Sequence, residues 1–263
     1  MSIGYTGPGA IMETSSDIKS VLSPEVQDML EAGVHFGHRK SNRHPKMAPY
    51  IFTVKGSVEI IDVTKTQEFL DKACAYLENK AKEGGLILFA GTRPHVKDIV
   101  QESAQAVGMP YVKERWFGGT LTNFSVMIKR LENFKELERK AAAGELDKYT
   151  KQEQVHFNRQ IVKLNSALGG LKTLTRKPDV LVLVSLKHDT IAATEALKMK
   201  IPVVAIADTN VDPTSIMFPI PANDDAISSV RYVFAKLIDA IQKGKAAYVA
   251  KVVHTDKTSE SKS

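Results

Sequence analysis

Apolar positions along the chain recur with two periods. From about residue 64, Phe69, Ala73, Tyr76, Leu77 and Ala81 fall at helical spacing until Gly84-Gly85. Residues 86–90 (LILFA) then form a short unbroken apolar run, suited to a parallel strand covered on both faces. The alternation continues with a helix carrying Val96, Ile99, Val100, Ala104 and Val107, ended by Gly108, and a strand-like piece at 110–112. It resumes after Pro178 with strands at 180–184, 202–207 and 216–220. Between them lies a helix over 190–200 with Ile191, Thr194, Ala196 and Leu197. A last helix is capped by Asn223-Asp224-Asp225, carries Ile227 to Ile241 and is closed by Gly244. Near the start, Ser23-Pro24-Glu25 supplies an N-cap, a first-turn proline and a first-turn acid for a short helix that stops at Gly33. Residues 50–54 and 58–63 read as two strands around a Lys55-Gly56-Ser57 turn. The alternation predicts one α/β sheet with right-handed crossovers and helices on both faces.

Residues 122–177 interrupt this rhythm. They are rich in Lys, Arg, Glu, Leu and Ala, lack proline, and break at Ala142-Ala143-Gly144-Glu145, so they read as two antiparallel helices. Phe157, Ile161, Leu164, Leu168 and Leu171 are spaced four, three, four, three, which predicts a coiled-coil seam. Phe124, Ile128, Leu131, Phe134 and Leu137 supply the facing stripe. A coiled-coil adaptor binding another protein's helix is a weaker reading, because this stripe makes the partner internal. The expected organisation is an extension at 1–22, an α/β body at 23–121 and 178–243, a hairpin at 122–177 and a disordered tail at 244–263.

Charge gives the hairpin a purpose. Residues 125–177 hold twelve Lys and Arg against six Asp and Glu, an excess equal to the formal +6 of the whole 263-residue chain. A charged rod on a neutral body suits the gripping of a polyanion. A second basic stretch, residues 33–58, carries Arg39, Lys40, Arg43, Lys46 and Lys55 with no acid. Phe36, Tyr50 and Phe52 are interleaved, as phosphate contact with base stacking requires. It reads as a basic loop. The candidate RNA contacts are therefore Arg39, Lys40, Arg43, His44, Lys46, Arg93, Arg115, Lys129, Arg130, Arg159 and Lys163.

Other chemistry is thin. The one cysteine, Cys74, excludes an internal disulfide and a Cys-rich zinc site. The N-terminus has neither the basic start nor the apolar run of a signal peptide, and no stretch reaches bilayer length. A cytoplasmic protein is expected. Strand-end loops at 91–95, 185–189 and 208–212 lie where doubly wound sheets bind ligands. An enzymatic alternative would use His95 or His188 with Asp189 or Asp208, and a metal would draw on His188, Asp189, Asp208 or Asp225. Helix capping by these acids is the simpler account, and no G-x-G-x-x-G, P-loop or G-x-S-x-G motif is present. No cofactor is expected. Arg115-Trp116-Phe117-Gly118-Gly119 sits where the sheet meets the hairpin; Trp116 should pack under the hairpin, with the two glycines letting backbones approach.

These segments resemble the small-subunit ribosomal protein S2 family in its bacterial form. The matching runs are AGVHFGH from Ala32, HPKMAPYIF from His44, LFAGT from Leu88, RWFGGTLTNF from Arg115, LGG from Leu168, IADTNVDP from Ile206 and IPANDDAISSV from Ile220. The resemblance implies a flavodoxin-like α/β body with an inserted helical hairpin and no catalytic activity. It implies binding to small-subunit rRNA, neighbouring ribosomal proteins, and help in recruiting the mRNA-capturing protein built of multiple OB-folds. One departure is Arg43-His44-Pro45-Lys46, where the family commonly has Trp-Asn-Pro-Lys; it exchanges an aromatic for a phosphate-binding cation.

Overall fold

The computed structural model describes residues 23–260, with side chains as far as residue 251. The expected N-terminal extension lies outside the described residues, as do residues 261–263. Five parallel strands form the main sheet: β4 (Ile87–Ala90), β5 (Tyr111–Val112), β6 (Val180–Leu183), β7 (Val203–Ala207) and β8 (Phe218–Pro221). Their spatial order is β5-β4-β6-β7-β8, the flavodoxin-like arrangement in which the winding reverses between β4 and β6.

The expectation of a single sheet is corrected by a second, antiparallel one of order β1-β3-β2. It is built from β1 (Phe36–Arg39), β2 (Ile51–Lys55) and β3 (Val58–Ile61). Part of the supposed basic loop is thus strand: β1 pairs with β3, Phe36 opposite Ile60 and Arg39 opposite Val58. Long-range pairing overrides the weak local signal of Gly and His in that run. The remainder, between β1 and β2, is 3-10 turns.

Helices α1 (Pro24–Glu31), α2 (Val63–Lys82), α3 (Lys97–Ala106) and α7 (Ile227–Glu260) cover one face of the main sheet. Ile87, Phe89, Val182, Val204 and Ile220 point into that layer. The alternate positions, Leu88, Ala90, Leu181, Leu183 and Ala205, face the opposite layer. There they meet α6 (Thr190–Lys198) and the roots of the hairpin helices α4 (Phe124–Ala142) and α5 (Lys151–Leu168). Met127, Leu131, Phe134 and Leu168 all belong to this second core. The hairpin is rooted in the body, not merely attached to it.

The seam is tight only near that root. Leu168 and Leu171 are buried, while Phe157, Ile161 and Leu164 are half-buried. An open groove lined by Phe134, Leu137 and Leu164, with Arg130 and Lys163 among its polar residues, runs between the arms. At the far end Thr150 and Glu153 form a reciprocal capping box that starts α5.

The last helix does not stop at Gly244, and the predicted disordered tail is helical as far as Glu260. Gly244 is a contact glycine: a Cβ there would lie 2.3 Å from the Glu78 carbonyl oxygen of α2. The residue read as a terminator lets two helices touch. The phase of α6 also differs from expectation. Ile191 and Leu197 are exposed, and Ala192, Ala193, Glu195 and Ala196 face the core.

Candidate nucleic-acid interface and its anchors

Three of the hairpin's six acids are engaged by a subset of its cations. Glu136 binds Arg139 at 2.8 Å and faces Lys140 at 3.6 Å; Glu145 binds Arg139 at 3.0 Å; Glu138 binds Lys172 at 2.7 Å. Lys172 also lies 4.8 Å from the Phe134 ring centroid. Glu153 is held by the Thr150 cap. By contrast, Lys129, Arg130, Lys135, Arg159 and Lys163 form no ion pair among the described residues, and all five are exposed. Arg130 and Lys163 line the groove, and Arg159 and Lys163 lie beside the exposed Val155 and Val162.

The basic segment of the body is different. Its acid-free sequence meets acids brought by other elements. Arg43 Nε lies 3.5 Å from Glu59 Oε1, Lys46 Nζ 2.7 Å from Asp212 Oδ2, and the His44 amide donates to the Thr209 carbonyl at 2.8 Å. Arg93 binds Asp224 at 3.3 Å and also pairs with Asp225. Arg39, Lys40 and Arg115 are exposed and form no ion pair among the described residues. The sequence therefore grouped two kinds of cation, those bound to groups of the fold itself and those without such a partner.

Held cations and carboxylates meet at the C-terminal ends of β4, β6, β7 and β8. His38 from β1 bridges Asp208 (Nδ1 to Oδ1, 3.1 Å) and Asp225 (Nε2 to Oδ2, 3.4 Å). Ser185 donates to Asp224, and Thr92 donates to Asp189 at 2.9 Å. Burial pushes the Asp189 and Asp224 carboxyls up to about 6. The hydrogen bond to Asp208 raises His38 against its partial burial. Burial likewise raises Glu59, which is fully enclosed, against the lowering effect of the nearby Arg43. His188, Asp189, Asp208 and Asp225 do not converge as a metal site. Among the described residues no group of three or more His, Cys, Asp or Glu is placed to hold an ion, because these acids already serve Thr92, His38 and Arg93. The strand-end crevice is filled by its own side chains, which tie the small antiparallel sheet to the body.

One further acid escaped the sequence reading. Glu195 of α6 is 7% exposed and faces the 116–122 turn. Its Oε1 accepts from Trp116 Nε1 at 3.3 Å and the Gly119 amide at 2.7 Å. Its Oε2 accepts from the amides of Leu121 (2.9 Å) and Thr122 (3.2 Å) and from the Thr122 hydroxyl (3.3 Å). Burial alone would raise this carboxyl; the backbone donors of Leu121, Gly119 and Thr122 outweigh it and leave it below the ordinary value. Trp116 is buried beneath the hairpin as expected. The close approach assigned to Gly118-Gly119 is not there: a Cβ on Gly118 would meet nothing within 4 Å, and Gly119 instead has φ +93°. The close approach belongs to Gly170 on the returning arm, where a Cβ would lie 2.3 Å from the Tyr111 carbonyl oxygen of β5.

No helix among the described residues is long and apolar enough to cross a membrane. Comparison with known proteins finds that residues 29–244 match the profile of the family described as Ribosomal protein S2. A small ribosomal subunit protein uS2 from Thermosynechococcus vestitus is 44% identical over 226 residues, 86% of this chain and 85% of the relative. A uS2c protein from Cyanophora paradoxa is 42% identical over 83% of this chain and 94% of its own length. A uS2 protein from Dehalococcoides mccartyi is 39% identical, with 89% and 95% covered.

Proposed function

The chain belongs to the ribosomal protein S2 family, and from that premise we propose that it binds small-subunit rRNA through its helical hairpin and the outward cations of its antiparallel sheet. Membership gives it a structural, non-catalytic role in the small ribosomal subunit. The finer reading is that Lys129, Arg130, Arg159 and Lys163, with Arg39, Lys40 and Arg115, contact phosphates. Arg43, Lys46 and Arg93, paired with acids of the body, brace that surface together with His44. The body offers its remaining faces to neighbouring small-subunit proteins, including the mRNA-capturing protein of multiple OB-folds, in a ribosome of the cytoplasm.

The observation that carries the reading is the segregation of charge on the hairpin. Three of its six acids, Glu136, Glu138 and Glu145, pair with Arg139, Lys140 and Lys172, and Glu153 is held by the Thr150 cap, while a set of exposed cations is left without intramolecular partners among the described residues. Cations intended only for solubility would need no such sorting, whereas a phosphate backbone rewards each one with a released counterion. Replacing Lys129, Arg130, Arg159 and Lys163 by alanine should leave the fold intact. It should lower the log–log salt slope of binding to small-subunit rRNA by about 3 units, near 0.7–0.9 per contact. Filter binding across a salt series measures this, and an unchanged slope would remove the hairpin from the RNA-facing surface.

A further inference from the structure

The hairpin leaves the body at a helix start that cannot cap itself. Asn123, at the N-cap of α4, makes no side-chain capping bond, and the first turn of α4 holds no acid. The Val126 amide turns back to the Asn123 carbonyl at 3.2 Å, but the positive end of the helix has no anion of its own. An anion from another element holds the turn just before that end: the Glu195 carboxylate takes the amides of Gly119, Leu121 and Thr122, which precede the N-cap. It also takes the indole N–H of the only tryptophan. We infer that Glu195 is a positioning residue that sets the direction in which the hairpin leaves the sheet, and so where its unpaired cations stand.

Lever arithmetic makes the direction matter. Thr122 to Ala142 spans about 30 Å at 1.5 Å per residue. A tilt of about 10° at the root displaces the tip by about 5 Å and Lys129 by about 2 Å. A phosphate contact fails over such a distance, because hydrogen bonds to charged groups close at about 2.7–2.9 Å. Glu195 itself is buried and forms no ion pair among the described residues, so it acts through the geometry of the arm. The consequence for RNA rests on the rRNA-binding reading above; the consequence for the hairpin does not.

The test uses Glu195→Gln in the full chain. Glutamine keeps the size of the side chain but presents an N–H₂ to one of the two donor sets, breaking either the Leu121–Thr122 pair or the Trp116–Gly119 pair. Spin labels at Lys148→Cys and Lys198→Cys, in a Cys74→Ala background, report the distance from hairpin tip to α6. The expected result is a broadened or displaced distance distribution with a cooperative melt retained, and a shifted Trp116 fluorescence maximum. Affinity for transcribed small-subunit rRNA should fall about tenfold, with the salt slope reduced by about 1–2 units. Glu195→Asp, which keeps the charge but withdraws it by one methylene, should fall between parent and Gln, and stands in if Gln does not fold. An unchanged distance distribution would overturn the inference whatever the RNA does. A changed distribution with a parental salt slope would overturn its bearing on RNA, provided the four-alanine variant has lost slope. If that variant also keeps the parental slope, the RNA reading is what fails, and the distances still decide the role of Glu195.

Discussion

Arg93→Ala should cost about 3 kcal/mol of stability at pH 8 and much less at pH 5. The side chain is the cation that answers Asp224, a carboxylate with 2% of its surface exposed, at 3.3 Å. Removing one partner of a buried pair strands the other charge, at about 3–5 kcal/mol. The lower figure applies here because Asp225, its second partner, is half exposed and solvent screens it. The pH dependence follows from the sign of the Asp224 shift. Its folded value, about 6, lies above the ordinary 3.8. Its contribution favours the folded state fully below about 4 and is lost as pH rises through about 6. At pH 5 the carboxyl is largely protonated with or without Arg93, so little charge is stranded. At pH 8 it is ionised beside Asp208 and Asp225, with the histidines His38 and His95 as the remaining basic neighbours of the cluster. His38, raised by Asp208, reinforces the trend, since its charge is present below its folded value and lost above. Urea denaturation at the two pH values measures the difference. Equal losses at both would mean that Arg93 acts by packing rather than charge.

That outcome bears on how much of the site was legible in the sequence. Arg43 read as an RNA contact because residues 33–58 around it include no acid, and Arg93 was counted with it. Asp224 lies 131 residues from Arg93, and Glu59 reaches Arg43 through the pairing of β1 with β3. Local charge counting cannot see partners that only topology supplies. The hairpin cations fared differently, because helical neighbours at i+3 and i+4 are fixed by sequence. Arg139 with Glu136 is such a pair and Arg130 has no acid at either spacing, although Lys129 forms no ion pair among the described residues with Glu132 at i+3. Strands β4, β6 and β7 were legible for a related reason: a strand buried on both faces announces itself as an apolar run.

Glu195 was hidden by size. The helical face that looks inward carries Ala192, Ala193 and Ala196, whereas the large apolar side chains Ile191 and Leu197 point outward. A search for bulky hydrophobic residues chooses the wrong face of α6. The carboxylate then looks like ordinary solvent-facing charge. The signal that was available is indirect: the turn at 116–122 brings several N–H groups together just before the α4 N-cap, so an acceptor had to come from elsewhere.

Gly170→Ala should lower stability by about 3 kcal/mol, while Gly118→Ala should change it by less than about 0.5 kcal/mol. The two glycines flank opposite arms of the same hairpin, so they form a matched pair. At Gly170 an added methyl would stand 2.3 Å from the Tyr111 carbonyl oxygen and 2.7 Å from two Tyr111 ring carbons. Neither neighbour yields cheaply. The carbonyl belongs to β5, which pairs with β4, and the ring packs against the first core. Relief requires the 3-10 turn at Gly169–Leu171 to lift away from the sheet edge, and that turn carries Leu171, which is 1% exposed. Lifting it opens the tight part of the hairpin seam. At Gly118 the same methyl enters open space. Urea midpoints of the two variants decide the matter, and the returning arm adds a second readout. If Gly170 and Glu195 fix the two arms independently, Gly170→Ala should widen the hairpin distance distribution without shifting the Trp116 emission, because the Glu195 hydrogen bonds all lie on the outgoing arm. A small loss at Gly170, or an equal loss at Gly118, would show that the sheet edge yields and that the outgoing arm alone holds the hairpin.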